Sequence, residues 1–125
     1  MAAELSDGRV MLNCRHQNGE SKQRIVGISS DGGATWDTTY FDAQLPSPVC
    51  QASLLNGTTK DGQDILLFSN PANTKSRNNM TVRVSYDDGQ TWQIQREIRS
   101  GESAYSDLIQ TVSYTHLTLP TILLV

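Results

Sequence analysis

The chain lacks a run of ~18 apolar residues, the length a membrane-spanning helix needs, so no such span is expected in its 125 residues. Cysteine is scarce. Cys14 and Cys50 allow at most one disulfide, and neither stands in a CxxC or Cys/His spacing suited to zinc. Both have apolar neighbours and read as small buried thiols. Positive charge is also short: ten Lys and Arg against thirteen Asp and Glu leave a net charge of −3. Nine of these cations, Arg9, Arg15, Lys22, Arg24, Lys75, Arg77, Arg83, Arg96 and Arg99, show that they are scattered rather than massed. Nucleic acid and anionic membrane surfaces require clustered cations, so neither is expected as a partner. His16 and His116 have no second ligand or nucleophile at a useful spacing and read as surface residues. With no metal or nucleotide motif present, no cofactor is expected. Finally, no window repeats its apolar residues with the 3.6-residue period of a helix.

What is present is a repeat. "SSDGGATW" at 29–36 and "SYDDGQTW" at 85–92 share Ser-x-Asp-x-Gly-x-Thr-Trp at an offset of 56 residues. Each follows a β-branched run, "RIVGI" or "TVRVS", and leads into another strand-like segment. Asp-Gly and Gly-Gly steps between such runs mark hairpin turns, because glycine takes positive φ without steric cost. "SDGRVMLNC" and "KDGQDILLFS" add further Asp-Gly turns before apolar strands. The pattern predicts an all-β chain with strands near 9–14, 22–28, 36–41, 49–55, 64–69, 79–86, 92–98 and 104–110. Units of about four strands repeating in this way suit the blades of a β-propeller. Two blades do not close a ring, and open sheet edges invite mispairing.

The repeated box is scaffold rather than chemistry. In each copy, Ser29/Asp31/Gly33/Trp36 and Ser85/Asp87/Gly89/Trp92, the aspartate is expected to accept backbone N–H bonds within its turn. The glycine takes the left-handed position, and the tryptophan packs between neighbouring strands. A feature that recurs once per blade occupies equivalent, separated places, so Asp31 and Asp87 are not expected to converge on one substrate.

This element resembles the Asp-box, or BNR repeat, of the sialidase (neuraminidase) family. The segments between the boxes extend the resemblance from Glu4 to about Gln110. "LSDGRVMLNCRHQNGESKQRIVGISSDGGATW" is similar to the family segment that delivers an arginine ahead of an Asp-box, matched here by Arg15. "FSNPANTKSRNNMTVRVSYDDGQTW" is similar to a later one, matched by Arg77. "SAYSDL" resembles the tyrosine motif, which places the nucleophile at Tyr105, 28 residues after Arg77. Gln51, in "SPVCQASLL", resembles a residue near the sugar pocket.

The resemblance implies an incomplete six-bladed propeller: about two four-stranded antiparallel blades and the start of another. It further implies an exo-α-sialidase parent that removes terminal sialic acid from glycoproteins, glycolipids or oligosaccharides with retention. The residue types suit that chemistry. A planar guanidinium binds the sugar's carboxylate in bidentate fashion and stays charged. A carboxylate nucleophile would meet repulsion at an anomeric centre that already carries negative charge. A neutral phenol avoids this but needs a neighbouring base, and sialidases are the known exception to carboxylate nucleophiles. Arg83, inside an alternating strand, is better explained by cross-strand pairing than by ligand binding.

The family's activating glutamate would lie upstream of Met1; Glu4 matches a different position. The first clamp arginine and the acid/base aspartate belong to blades further upstream. "MAAELSDGR" has neither the basic nor the apolar region of a signal peptide, and the chain reads as an internal fragment, inactive by itself. A whole parent, whose substrates lie mostly outside cells, is expected to be secreted or periplasmic. The propeller segment is expected to cover 1–111. Residues 112–125, from "VSYTHLTLPT" onward, resemble a translated sequencing adaptor and are expected to be a non-native tail; the alternative is a genuine closing strand, since "LTLPTILLV" is β-prone, although Pro120 sits awkwardly in it. Two other readings keep parts of the pattern. A non-catalytic Asp-box propeller that binds glycan or protein has no reason to keep Arg15, Arg77 and Tyr105 together, whereas a trans-sialidase would keep all three.

Overall fold

A computed structural model describes residues 1–18, 20–111 and the backbone of 120–124. Ten strands form: β1 (Ala2–Glu4), β2 (Val10–Cys14), β3 (Gln23–Ser29), β4 (Thr38–Pro46), β5 (Ser53–Thr58), β6 (Asp64–Pro71), β7 (Asn78–Ser85), β8 (Ile94–Glu102), β9 (Ser106–Gln110) and β10 (Pro120–Leu124). They make two four-stranded sheets, β1-β2-β3-β4 and β5-β6-β7-β8, and a separate β9–β10 pair. Every pairing is antiparallel, as expected for consecutive strands joined by short turns. The sheets are propeller blades, and β9 begins a third.

Alternation places the core. In β2 and the first half of β3, buried Met11, Asn13, Arg24 and Val26 alternate with half-buried neighbours, and from Val26 to Ser29 the strand is buried throughout. Leu45, Ala52, Leu54, Leu66 and Phe68 join Met11, Val26 and Ile28 in one cluster shared by both sheets, with Trp92 packed against it. The blades therefore share a core.

β9 docks against β5 and β6 through side chains. Ser53 Oγ accepts from the Leu108 amide at 3.0 Å, Ser69 and Ser106 hydroxyls lie 2.7 Å apart, and Gln110 Oε1 accepts from the Thr58 amide at 2.9 Å. The Ser53–Leu108 and Thr58–Gln110 contacts, in this order, show that β5 and β9 run in the same direction.

Most strands lie where the pattern predicts, with informative shifts. The strand expected at 36–41 starts at Thr38, because Thr35 and Trp36 belong to the turn, which the Asp37 amide closes onto the Ile28 carbonyl at 2.8 Å. The strand expected at 49–55 starts at Ser53. Val49 has φ +59°, a conformation that β-branched residues strongly avoid. Two strands lie outside the predicted set. β1 is only three residues long, and β10 pairs with β9 over the expected tail, from Pro120↔Gln110 to Leu124↔Ser106. Pro120 opens β10, the position in a strand where proline is tolerated. The rest of the expected tail, 112–119 and Val125, lies outside the described residues, as does His116.

Candidate active site

Strand direction sorts the singled-out residues into two rims. Met1 precedes β1, Arg15 follows β2, Gln51 precedes β5, Arg77 precedes β7 and Tyr105 precedes β9. In these antiparallel sheets, all of those positions fall at one rim. Both boxes connect β3 to β4 and β7 to β8 at the opposite rim. Topology thus separates Asp31 and Asp87 from Arg15, Arg77 and Tyr105.

The boxes are closed hydrogen-bonded turns. In the first, Ser29 Oγ accepts from the Gly33 amide at 2.9 Å and donates to Asp31 at 2.7 Å, and Asp31 accepts from the Thr35 amide at 2.8 Å. The second repeats this with Ser85, Asp87, Gly89 and Thr91 at 2.7 to 2.9 Å. Gly33 and Gly89 take φ +94° and +83°. Thr35, through its hydroxyl and amide, and Ser29 hold Asp31 down at about 2. Burial raises the Asp87 carboxyl, but bonds from Thr91 and Ser85 outweigh it and leave the group low. The tryptophans differ. Trp92 lies at the junction of the two sheets, its ring centroid 5.8 Å from that of Phe68. Trp36 is 41% exposed and lies across Gly27 of its own sheet.

At the other rim, Asn13, Cys14, Arg15, Arg24, Gln51, Tyr105 and Met1 line a cavity of about 430 Å³. Arg15, Gln51 and Tyr105, which came from three distant stretches of sequence, therefore meet. Arg77 stands on the flank, its guanidinium carbon 5.7 Å from the Tyr105 ring centroid.

The segment Val49–Gln51 ties these groups together. Arg77 Nη2 donates to the Val49 carbonyl at 3.2 Å, and Arg24 Nη1 to the Cys50 carbonyl at 2.6 Å. Gln51 Oε1 accepts from the Ser106 amide at 3.1 Å, directly beside Tyr105. The unfavourable backbone of Val49 is thus held from both sides, as strained residues require.

Arg24 is the functional-rim residue that sequence reasoning missed. It is 1% exposed, its Nε donates to Asn13 Oδ1 at 2.7 Å, and its guanidinium lies over Phe68 at 5.8 Å. Burial lowers its pKa to about 10. The signal was present in "QRIVGIS": Arg24 shares the inward phase of Val26 and Ile28. Arg83 is likewise buried, in β7 opposite Gln95 and Phe68, and burial lowers its pKa. Cys50 is a buried thiol, and burial raises its pKa; Cys14 is half-buried at the cavity. His16 lies 5.0 Å from Phe41, ring to ring. Among the described residues, no group of three His, Cys, Asp or Glu is placed to hold a metal ion, and no helix is long and apolar enough to cross a membrane.

Comparison with known proteins agrees with this architecture. Residues 1–117 match the BNR repeat-like domain family. A sialidase of Micromonospora viridifaciens is 40% identical over 112 residues, covering 84% of this chain and 17% of the relative. A sialidase of Bacteroides fragilis is 42% identical over 100 residues, covering 77% and 18%. Among solved structures, a Hadza microbial sialidase superposes with a TM-score of 0.77 at 38% identity, covering 86% of this chain and 22% of that one. The chain thus spans less than a quarter of each relative. Its boxes, its blades and these matches place it, as a partial chain, in the BNR-repeat sialidase family of β-propellers.

Proposed function

We propose that this chain is a segment of an exo-α-sialidase that removes terminal sialic acid from glycans, with Tyr105 as nucleophile. The observation that carries the reading is the meeting of Arg15, Gln51 and Tyr105 in one cavity, with Arg77 over the tyrosine ring. Arg15 and Arg77 hold the substrate carboxylate, each offering a planar fork of donors. Tyr105 Oη attacks the anomeric carbon, the glycosidic bond breaks, and the leaving oxygen takes a proton from an acid. Water then displaces the tyrosine, so two inversions give net retention. Gln51 holds the Tyr105–Ser106 backbone in place through its bond to the Ser106 amide.

The phenol needs a base, yet none of the described residues lining this cavity is Asp or Glu. Base and acid come from elsewhere in a longer protein, and the 125-residue chain alone hydrolyses no sialoside. Purified chain and a fluorogenic sialoside test this: no release is expected. Release that disappears in Tyr105→Phe would overturn the inactivity of the segment. The site itself is tested by titrating isotope-labelled chain with N-acetylneuraminic acid. Resonances of Arg15 and Tyr105 are expected to shift, and Arg15→Met to remove the response. A titration that leaves both residues unmoved sinks the reading.

A further inference from the structure

Arg24 carries a charge in the wall between the blades with no acid to meet it. It is 1% exposed, and among the described residues it enters no ion pair. Its bonds run to two neutral oxygens, Asn13 Oδ1 at 2.7 Å and the Cys50 carbonyl at 2.6 Å. An apolar side chain of similar length would fill this space without the desolvation cost of a buried cation. What arginine adds is a rigid fork of donors that reaches two places at once.

Those two places belong to different blades. Asn13 lies in β2, two residues before Arg15, whereas Cys50 lies ahead of β5, directly before Gln51. Asn13 Oδ1 accepts from Arg24 Nε, which aims Nη1 at the Cys50 carbonyl. The Asn13 Nδ2 is buried and, among the described residues, has no partner, so holding Arg24 is the one bond this side chain makes there. From Cys50 the path continues. Gln51 Oε1 accepts from the Ser106 amide at 3.1 Å, and Ser106 follows Tyr105 at the start of β9. One link per blade thus runs from Arg24 to the tyrosine.

The segment needs such a hold. Val49 has φ +59°, which a β-branched residue keeps only where its surroundings impose it. Arg77 supports it through the Val49 carbonyl, but at 3.2 Å and at an exposed site, where solvent competes. The Arg24 bond is shorter and buried, and a charged donor strengthens it where water is excluded. Of the two, Arg24 is the stronger restraint.

We propose that Arg24 is a positioning residue: through the Cys50 carbonyl it fixes Gln51, and through Gln51 it sets the place of Tyr105 in the cavity. Its bearing on sialoside chemistry rests on the function proposed above. The test follows amide hydrogen exchange in the isotope-labelled full chain, with N-acetylneuraminic acid titrated separately. The Ser106 amide reports the Gln51 link. The Leu108 amide, held in the same strand by Ser53 Oγ at 3.0 Å, reports stability alone, since a general loss loosens both alike. Arg24→Met is expected to speed exchange at Ser106 relative to Leu108 by roughly threefold to tenfold, the worth of one net hydrogen bond. Gln51→Leu does the same, and the double variant goes no further, because the two act in series. N-acetylneuraminate affinity falls by a similar factor in Arg24→Met. Arg24→Lys, which keeps a charged donor, recovers part of both effects. Asn13→Leu leaves Arg24 in place but unaimed, and carries the same expectation should Arg24→Met not fold. Ser106 and Leu108 moving together, or additive effects in the double variant, overturn the positioning role. A wild-type chain that does not bind N-acetylneuraminic acid overturns the sialidase reading instead, and the exchange ratio still decides the role of Arg24.

Discussion

Arg77 lies over the face of Tyr105, guanidinium carbon to ring centroid 5.7 Å, while its Nη2 donates to the Val49 carbonyl. One side chain therefore fixes the ring that faces the cavity and the strained segment that carries Gln51. Arg77→Met removes both contacts. A cation over an exposed ring is worth about 0.5–1 kcal/mol, and an exposed bond from a charged donor to a carbonyl about as much, since solvent screens it. Urea unfolding is expected to show a loss of roughly 1–2 kcal/mol. N-acetylneuraminate affinity falls further, by tenfold or more, since a charged donor to the carboxylate is lost. Arg77→Lys recovers part of the stability but little of the affinity, because an ammonium has no planar fork. Unchanged affinity in Arg77→Met would remove this residue from the carboxylate clamp.

Cys14 and Cys50 give a chemical readout of the same cavity. Cys14 is half-buried and lines it beside Arg15, whereas Cys50 is fully buried and burial raises its pKa. Thiolate fraction and access set alkylation rate, so iodoacetamide is expected to label Cys14 first. Saturating N-acetylneuraminic acid slows that labelling in proportion to occupancy. Mass spectrometry of the tryptic peptides reads both outcomes. Labelling of Cys14 at the same rate with and without the sugar would place the ligand elsewhere.

The fold was largely legible in the sequence because turns and alternation are local signals. Asp-Gly and Gly-Gly steps fixed the hairpins, and period-two burial fixed the sheet faces. What local pattern does not carry is the company a strand keeps. β1 was invisible at three residues. The late start of β5 depends on Val49 at φ +59°, held by arginines from two other elements. Arg24 was read as one of several scattered cations, although its inward phase with Val26 and Ile28 marked it as buried. The Asp-box pair shows the same limit. Equivalent in sequence, Trp36 and Trp92 end up exposed and at the blade junction, since among the described residues only the second has another sheet against it.

That difference predicts unequal costs for one substitution made in both boxes. Gly33 and Gly89 both have positive φ, so alanine at either costs about 1–2 kcal/mol of backbone strain. Around Gly33 a Cβ would meet only the Trp36 ring at 3.9 Å, whereas at Gly89 it would lie 2.6 Å from Met11 Cε. Met11 is buried in the shared core, so relief displaces the packing between blades and adds about 1–3 kcal/mol. Gly89→Ala is therefore expected to lower the unfolding midpoint in urea well below that of Gly33→Ala. Equal losses would mean that the second box does not press on the first sheet.

The boxes also predict acid behaviour. Bonds from Thr35 and Ser29 lower the Asp31 carboxyl from 3.8 to about 2. Between those values the unfolded chain binds the proton more readily than the folded one, so stability rises with pH across this window. The contribution is present above pH 3.8 and is lost as pH falls towards 2. Asp87 is lowered as well and adds in the same sense. Asp31→Asn keeps an acceptor oxygen for the Thr35 amide but has no proton to bind. Its stability at neutral pH is expected to fall, and its dependence on pH between about 4 and 2 to flatten, more so in combination with Asp87→Asn. Urea unfolding at several pH values measures both quantities. A wild-type slope retained in the double variant would assign the acid sensitivity to other carboxylates and leave the boxes as turns held by geometry alone.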